Sequence, residues 1–404
     1  MLAPSNLINI FIVFLLTSRG LFPGYTVEFI LLVILLTLIL LKSKKVKFKH
    51  NDLMIIGIVI LTNVTLAFNI FYAKNIFELL IYMGYYLVGI MIFLIIKFKC
   101  LNLINLCSFL KTYIIVTSII CLFTNISFLI YTTTGYSTIL IHVGQTVRAV
   151  GLFGNPNYYS ILLLMVLGFL YGMSNIKLNL NLDKRVYLLL IFNLFLGVFL
   201  TFSRGALVAM IIITIIYFFL NLRKYFKFRY ISLVSLAFFS LFFLMETIID
   251  TTVFKSIVEQ FIIRIENAIY GDGAGRYDIW EVALELFAQN LWITIFGIGG
   301  NQFTYYSNHH PHNGYIGTLV ESGLVGAILL LILSVFIFTK IFNLPKLKVI
   351  SPMFYSVIAM YFMALSNDVF IVKEFWIIVG VATIYSNLVR ENSNEESRIT
   401  TSVG

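Results

Sequence analysis

Three of the five histidines in the chain stand together in Asn308-His309-His310-Pro311-His312-Asn313. Imidazole ligates zinc, copper and nickel, so a metal site is one reading. No cysteine or His-x-x-x-His partner accompanies the cluster, which argues against metal. The other reading is a general base with a pKa of about 6.5, placed to take a proton from a hydroxyl group. His312 is the best placed, because it stands at the mouth of an apolar segment beginning at Gly314. From Gly314 to Gly326 that segment carries four glycines and one acid, Glu321. A carboxylate inside an apolar helix is expensive and rarely serves packing alone. Glu321 therefore orients His312, binds a hydroxyl, or pairs with an arginine.

A second group of residues has the chemistry of anion binding. Arg148 precedes Ala149-Val150-Gly151, Arg204 precedes Gly205, and Arg276 follows Gly271-Asp272-Gly273-Ala274-Gly275, with Arg264 a little before. Arginine offers a planar, permanently charged fork suited to bidentate phosphate contacts, and glycine lets backbone and ligand approach closely. A single arginine of this kind also reads as a snorkelling anchor at a membrane interface. Asn155-Pro156-Asn157 supplies a cap residue and a first-turn proline, a good helix start. A helix amino terminus beside Arg148 would itself favour an anion. Asn155, Asn157 and Asn313 are the polar side chains placed to support these groups. No Ser-His-Asp arrangement, P-loop or dinucleotide fingerprint appears.

The elements that must position these residues are membrane helices. Of 404 residues, 60% are hydrophobic and only 11% charged. A soluble domain carries about a quarter charged residues, so an ordinary globular enzyme is excluded. Apolar stretches long enough to span a bilayer occur near 5–18, 25–41, 53–72, 76–96, 103–130, 156–173, 186–202, 205–221, 230–247, 314–339, 352–368 and 374–389. No small-residue cleavage pattern follows Thr17, so the first reads as a retained helix rather than a signal peptide. The pair joined at Ser203-Arg204-Gly205 reads either as two spans or as one long broken element. The expected fold is an all-α polytopic membrane protein of about 12 transmembrane helices, one integral domain over 1–404. Cys100, Cys107 and Cys121 are spaced neither for zinc nor for disulfides and read as small core residues.

Charge sets the orientation. With the amino terminus inside, 20 of the 28 basic residues and five of the 18 acidic ones fall on the inner side. The formal net charge of +10 thus divides into +15 inside and −5 outside. That asymmetry is what anionic inner-leaflet lipid and the positive-inside rule produce, and it removes nucleic acid as a partner. Both termini then lie in the cytoplasm, and 390–404 forms a cytoplasmic tail whose last dozen residues read as disordered. Five of the eight outer basic residues are arginine, against five of the 20 inner ones. Several arginines converging on a net-acidic outer face suit a pyrophosphate, and the outer-leaflet lipid that bears one is a polyprenyl pyrophosphate carrying sugars. Two outer segments, 131–155 and 246–313, are too long for turns and read as ordered. The second holds two amphipathic patterns, Val253–Ile269 and Tyr277–Trp292, which either lie on the outer leaflet or pack on the bundle. There is no internal repeat.

Taken together, these motifs resemble the O-antigen ligase and O-antigen polymerase family, membrane glycosyltransferases of bacterial surface polysaccharide assembly. The resemblance runs from Arg148 to Gly326. It rests on Gly151-Leu-Phe-Gly-Asn155-Pro-Asn157, Thr201-Phe-Ser-Arg204-Gly205, Gly275-Arg276-Tyr-Asp-Ile-Trp280 and Phe296-Gly-Ile-Gly299. It closes with His312-Asn313, nine residues, then Gly323-Leu-Val-Gly326. The resemblance implies a GT-C-like bundle with a large outward loop before the tenth span. It implies an undecaprenyl-pyrophosphate-linked oligosaccharide donor held by Arg148, Arg204 and Arg276, and a loop histidine, His312, activating the acceptor glycan. Arg264, with Gly275 eleven residues on, is similar to an Arg-x10-Gly motif of polymerases. No metal and no cofactor are implied. Membrane lipid, a chain-length regulator and a flippase are the implied surroundings.

The reading is a repeat-unit polymerase at the outer face of the bacterial plasma membrane, acting on O-antigen or capsule. A ligase joining finished polysaccharide to lipid A-core or another acceptor shares the donor motifs and stays open. A lipid-linked oligosaccharide flippase, the reading from another class, would favour paired repeats and charges spread through the spans. Here the ionisable residues gather on one face.

Overall fold

The computed structural model describes residues 4–17, 25–42, 48–143, 146–174, 183–221, 259, 262, 266, 276–342 and 351–402. Helices dominate them, as a chain in lipid requires: every backbone polar group there needs an internal partner. They are α1 (Pro4–Thr17), α2 (Tyr25–Lys42), α3 (His50–Ala67), α4 (Ile76–Lys99), α5 (Leu103–Thr134), α6 (Pro156–Ser174), α7 (Lys184–Leu200) and α8 (Arg204–Leu220). After them come α9 (Arg276–Ala288), α10 (Leu291–Phe296), α11 (Gly314–Phe342), α12 (Phe354–Ala364) and α13 (Lys373–Ser402). Five of these are long and apolar enough to cross a membrane by length and composition: α3, α4, α5, α6 and α11. The architecture is that of an all-α polytopic membrane protein. The predicted span 230–247 lies outside the described residues, as does most of the first amphipathic pattern; Glu259, Ile262 and Glu266 from it are helical and exposed.

Polar residues punctuate the apolar runs. The Asn75 side chain accepts from Phe77 and Glu78 N–H (3.0 and 3.3 Å) to open α4, and Asn102 accepts from Asn105 N–H (2.8 Å) to open α5. Such caps satisfy amide groups that a helix start leaves free. Where α4 ends and α5 begins, the basic residues meet the start of α3. Lys97, in the last turn of α4, pairs with Asp52, and Lys340 of α11 donates to Asn51 Oδ1 at 2.9 Å. Among the described residues, three of the segments read as inner thus share one end.

The centre is α6, which packs on α12, α7, α5 and α8. Gly168 and Gly172 face Ser356 and Pro352, whose backbone occupies the space a side chain would need. Ser356 Oγ donates to Met165 O at 2.7 Å across that contact. Small residues that let helices approach, with a hydroxyl bond between them, are the usual glue of apolar bundles.

Three local readings change, and one open alternative is resolved in favour of two helices. Segment 131–155 continues α5 by one turn and then forms a two-stranded antiparallel pair, β1 (Ile141–His142) and β2 (Arg148–Ala149), before a 3-10 turn at Gly151–Phe153. The element around Ser203-Arg204-Gly205 is two helices, with Phe202 in the left-handed region (φ +49°) between them. The second amphipathic pattern is also two helices, because Asn290 takes the amide of Ile293 (2.9 Å) and restarts the chain as α10. Its α9 packs on α11: Ala283, Phe287 and Val282 join Ile298, Phe303 and Val320, while Leu284 and Leu291 stay exposed. The tail read as disordered is helical through Ser402. Residues 390–402 contain no glycine or proline and several glutamates, so nothing local stops α13.

Candidate active site

The turn between α7 and α8 is the first piece of the site. Its Thr201 carbonyl, buried, accepts from Arg148 Nε at 2.8 Å, and Arg148 Nη2 reaches Asn157 Oδ1 at 3.3 Å. Asn157 belongs to the first turn of α6, which Asn155 caps through the N–H groups of Asn157 (2.9 Å) and Tyr158 (3.4 Å). Arg148 thereby ties β2, the start of α6 and the α7–α8 turn into one unit. The glycines beside these arginines accommodate protein neighbours: Gly151 faces the Tyr159 ring and Gly205 faces Ser366.

Arg204 is the first residue of α8, and Arg276 is the first residue of α9. A cation at a helix amino terminus opposes the macrodipole, typically by about 0.3–1 kcal/mol. The two guanidinium groups also lie close enough to repel. Burial, then the Arg204 charge, holds the Arg276 pKa below its usual value. Among the described residues neither shows an ion pair. Two helix starts and two arginines thus lie near one another, with no carboxylate paired to either among the described residues. Arg264 lies outside the described residues.

The histidine segment also lies close to Arg276. His309 and His310 are exposed, and His312 is half-buried. His312 adopts φ +48°, a left-handed conformation that only glycine visits freely. Asn313, buried, opens α11: its side chain accepts from Tyr315 N–H (3.0 Å) and Ile316 N–H (3.2 Å). Trp280 Nε1 donates to Pro311 O at 2.9 Å, linking α9 to the residue before His312. Burial first, then the positive Arg276, then His310 and His309, push the His312 pKa down to about 4. The imidazole is therefore neutral at physiological pH and able to accept a proton.

Glu321 is buried in α11, in an environment set by Asp368, the Tyr82 side chain and the backbone of Asn301 and Phe303. Neither His312 nor an arginine is among these neighbours. Nearby, α11 is broken at Gly323 (φ +65°, ψ −167°). The chain just before the helix break is satisfied by a neighbouring loop: Ile298 N–H donates to Val320 O (2.9 Å) and Gly299 N–H to Glu321 O (3.0 Å). A side chain on Gly323 would strike the backbone of Ile295 and Gly297, and one on Gly297 (φ +80°) the backbone of Glu321 and Ser322. The motifs Phe296-Gly-Ile-Gly299 and Gly323-Leu-Val-Gly326 are therefore the two halves of one backbone contact.

Two neighbours were not singled out from sequence. Asp368 interacts electrostatically with His310, and its Oδ1 lies where a side chain on Gly317 would reach, 3.0 Å away. It stands at the outer end of a predicted span, an address that could have marked it. Tyr82 carries no such mark, since aromatic residues are abundant at membrane interfaces. No group of three His, Cys, Asp or Glu side chains is arranged to hold a metal among the described residues.

Residues 188–331 match the model of a family described as O-antigen ligase. The matched segment runs from α7 into α11 and contains Arg204, Arg276, His312, Glu321 and both glycine motifs. Comparison with curated proteins gave no match. The segment that is similar to the O-antigen ligase family is thus the one that carries Arg204, Arg276 and His312.

Proposed function

We propose that the chain is an oligosaccharide repeat-unit polymerase, a glycosyltransferase working on O-antigen or capsule at the outer face of the bacterial plasma membrane, with both termini cytoplasmic. The donor is a glycan on undecaprenyl pyrophosphate, and the acceptor is a sugar hydroxyl of a second lipid-linked glycan. The observation that carries this reading is the proximity of Arg204 to Arg276 and of Arg276 to the neutral His312, with no carboxylate paired to either arginine among the described residues. In the reaction, the acceptor O–H proton passes to the His312 imidazole as the oxygen bonds to the anomeric carbon. The bond from that carbon to the pyrophosphate oxygen breaks, and its electron pair leaves on the pyrophosphate. Arg204 and Arg276 stabilise the growing negative charge there, the kind of preorganised electrostatic contribution that dominates many catalysed transfers. Arg148 holds the turn that aims Arg204. The imidazolium then returns its proton to water, and displacement inverts the anomeric centre.

A pKa of about 4 makes His312 a weak base while Arg276 keeps its full charge beside it. A pyrophosphate seated on Arg276 offsets the positive charge that depresses it, so donor binding strengthens the base. The order of events follows from the electrostatics: donor first, then proton transfer.

The test is replacement of His312 by Ala and deletion of the gene, each followed by gel analysis of surface glycan. His312→Ala should abolish polymer with protein level unchanged, and normal chain length would sink the assignment. Single-repeat products in the deletion support polymerase. The family description favours ligase as the second reading, and free lipid-linked polymer in the deletion would point there. Repeat units trapped inside would point to a flippase.

A further inference from the structure

The conformation of His312 needs an external cause. Its φ of +48° is unfavourable for a residue with a side chain. Pro311 precedes it, and the Pro311 carbonyl lies in the same rigid peptide plane as the His312 nitrogen. Holding that oxygen fixes the rotation of the plane, and with it the φ of His312. The group that holds it is the indole N–H of Trp280, at 2.9 Å. On the other side Asn313 is fixed as the cap of α11, so His312 is clamped between two anchored neighbours.

Trp280 stands one helical turn after Arg276 on α9, and residues four apart share a face. Tyr277 packs edge-on against the indole, with ring centroids 5.7 Å apart. One helix thus presents an arginine toward Arg204 and His312 and a hydrogen-bond donor to the peptide that aims His312.

We infer that Trp280 is a positioning residue: its indole N–H sets the direction of the His312 imidazole, and α9 acts as the rigid spacer between pyrophosphate and base. This inference rests on the function proposed above. It makes donor binding and base placement properties of a single element. Without the N–H, the 311–312 peptide relaxes toward an extended conformation and the imidazole swings away from its place beside Arg276.

The experiment compares wild type, Trp280→Phe, and a variant carrying 3-benzothienylalanine at position 280, in which sulfur replaces the N–H in a ring of the same shape. The full-length protein in liposomes is assayed with lipid-linked oligosaccharide. The expected result is a kcat lowered roughly tenfold to a hundredfold, the scale of a misplacement of about 1 Å, with the donor KM within about twofold of wild type. The acid limb of the kcat/KM profile should also move upward, because the imidazole leaves burial and Arg276 while remaining near His309 and His310, the latter faced by Asp368. Wild-type kcat and an unmoved limb in the benzothienyl variant would overturn the inference, even if Trp280→Phe misfolds. His312→Ala separates the two levels. If it is inactive while the benzothienyl variant is normal, only the role of Trp280 fails; if it is fully active, the base assignment beneath it fails as well.

Discussion

Replacing Arg276 by Gln removes the positive charge nearest to His312 while leaving a side chain of similar reach. His312 acts as a base only when neutral, so activity and imidazole reactivity are present above its pKa and lost as pH falls through it. The structure places that pKa at about 4 instead of 6.5, with burial the largest cause and the Arg276 charge the second. Taking away the second cause must raise the midpoint, since a neighbouring cation disfavours the imidazolium. Because burial remains and is larger, the rise covers less than half of the interval between about 4 and 6.5. Diethyl pyrocarbonate, which acylates only neutral imidazole, reads this without turnover when the peptide bearing His312 is followed by mass spectrometry across pH. Arg276→Lys is the control: it keeps the charge and leaves the midpoint in place, yet weakens donor use by losing the planar fork. A midpoint in Arg276→Gln that stays at about 4 or falls would refute the electrostatic coupling. One reaching 6.5 would refute the priority of burial.

Other outcomes follow from the same geometry. Adding inorganic pyrophosphate should raise the melting temperature of the purified protein, since a ligand at 100 times its Kd contributes about 2.7 kcal/mol; the shift should vanish in the double variant Arg204→Ala, Arg276→Ala, and a shift unaltered there places the anion elsewhere. Arg148→Lys cannot keep both contacts, to Thr201 O and Asn157 Oδ1, and leaving a buried carbonyl short of a partner costs about 1–3 kcal/mol. Donor use should fall about tenfold or more, measured as kcat/KM, and unchanged donor use would remove Arg148 from the site's support. Gly323→Ala forces a side chain into backbone and into a conformation reserved for glycine, a strain of about 1–3 kcal/mol before any clash. Its thermal unfolding should fall well below that of Leu324→Ala, whose parent side chain is largely exposed.

Much of the local structure was legible because it depends on runs of neighbouring residues. Apolar segments became helices, and Asn155 capped α6 while Pro156 began it, as their positions predict. Two misreadings came from weak local signals. Asn290 breaks the pattern from Tyr277 to Trp292 through a single side-chain hydrogen bond, and the tail after Val389 is polar yet contains nothing to end a helix. Composition distinguishes buried from solvated segments well, but it does not distinguish a solvated helix from a disordered tail. The short pair at Ile141–His142 and Arg148–Ala149 was invisible for a related reason, since two residues per strand leave no alternation to read.

What the sequence by itself determined is the solvent this chain requires and the uneven division of its charges among the segments between apolar runs. Both follow from residue type and order, because transfer into lipid and charge at its surface are sums over local segments. The tertiary structure alone decided which of those residues meet. It set Arg204 against Arg276, turned Glu321 toward Tyr82 and the 301–303 loop, and joined two distant glycine motifs as one backbone contact. It also tied Trp280 to the peptide before His312. No periodicity relates such pairs; they arise where helices with many similar apolar faces choose one packing, and that choice is made by shape and by the few polar groups that must find partners.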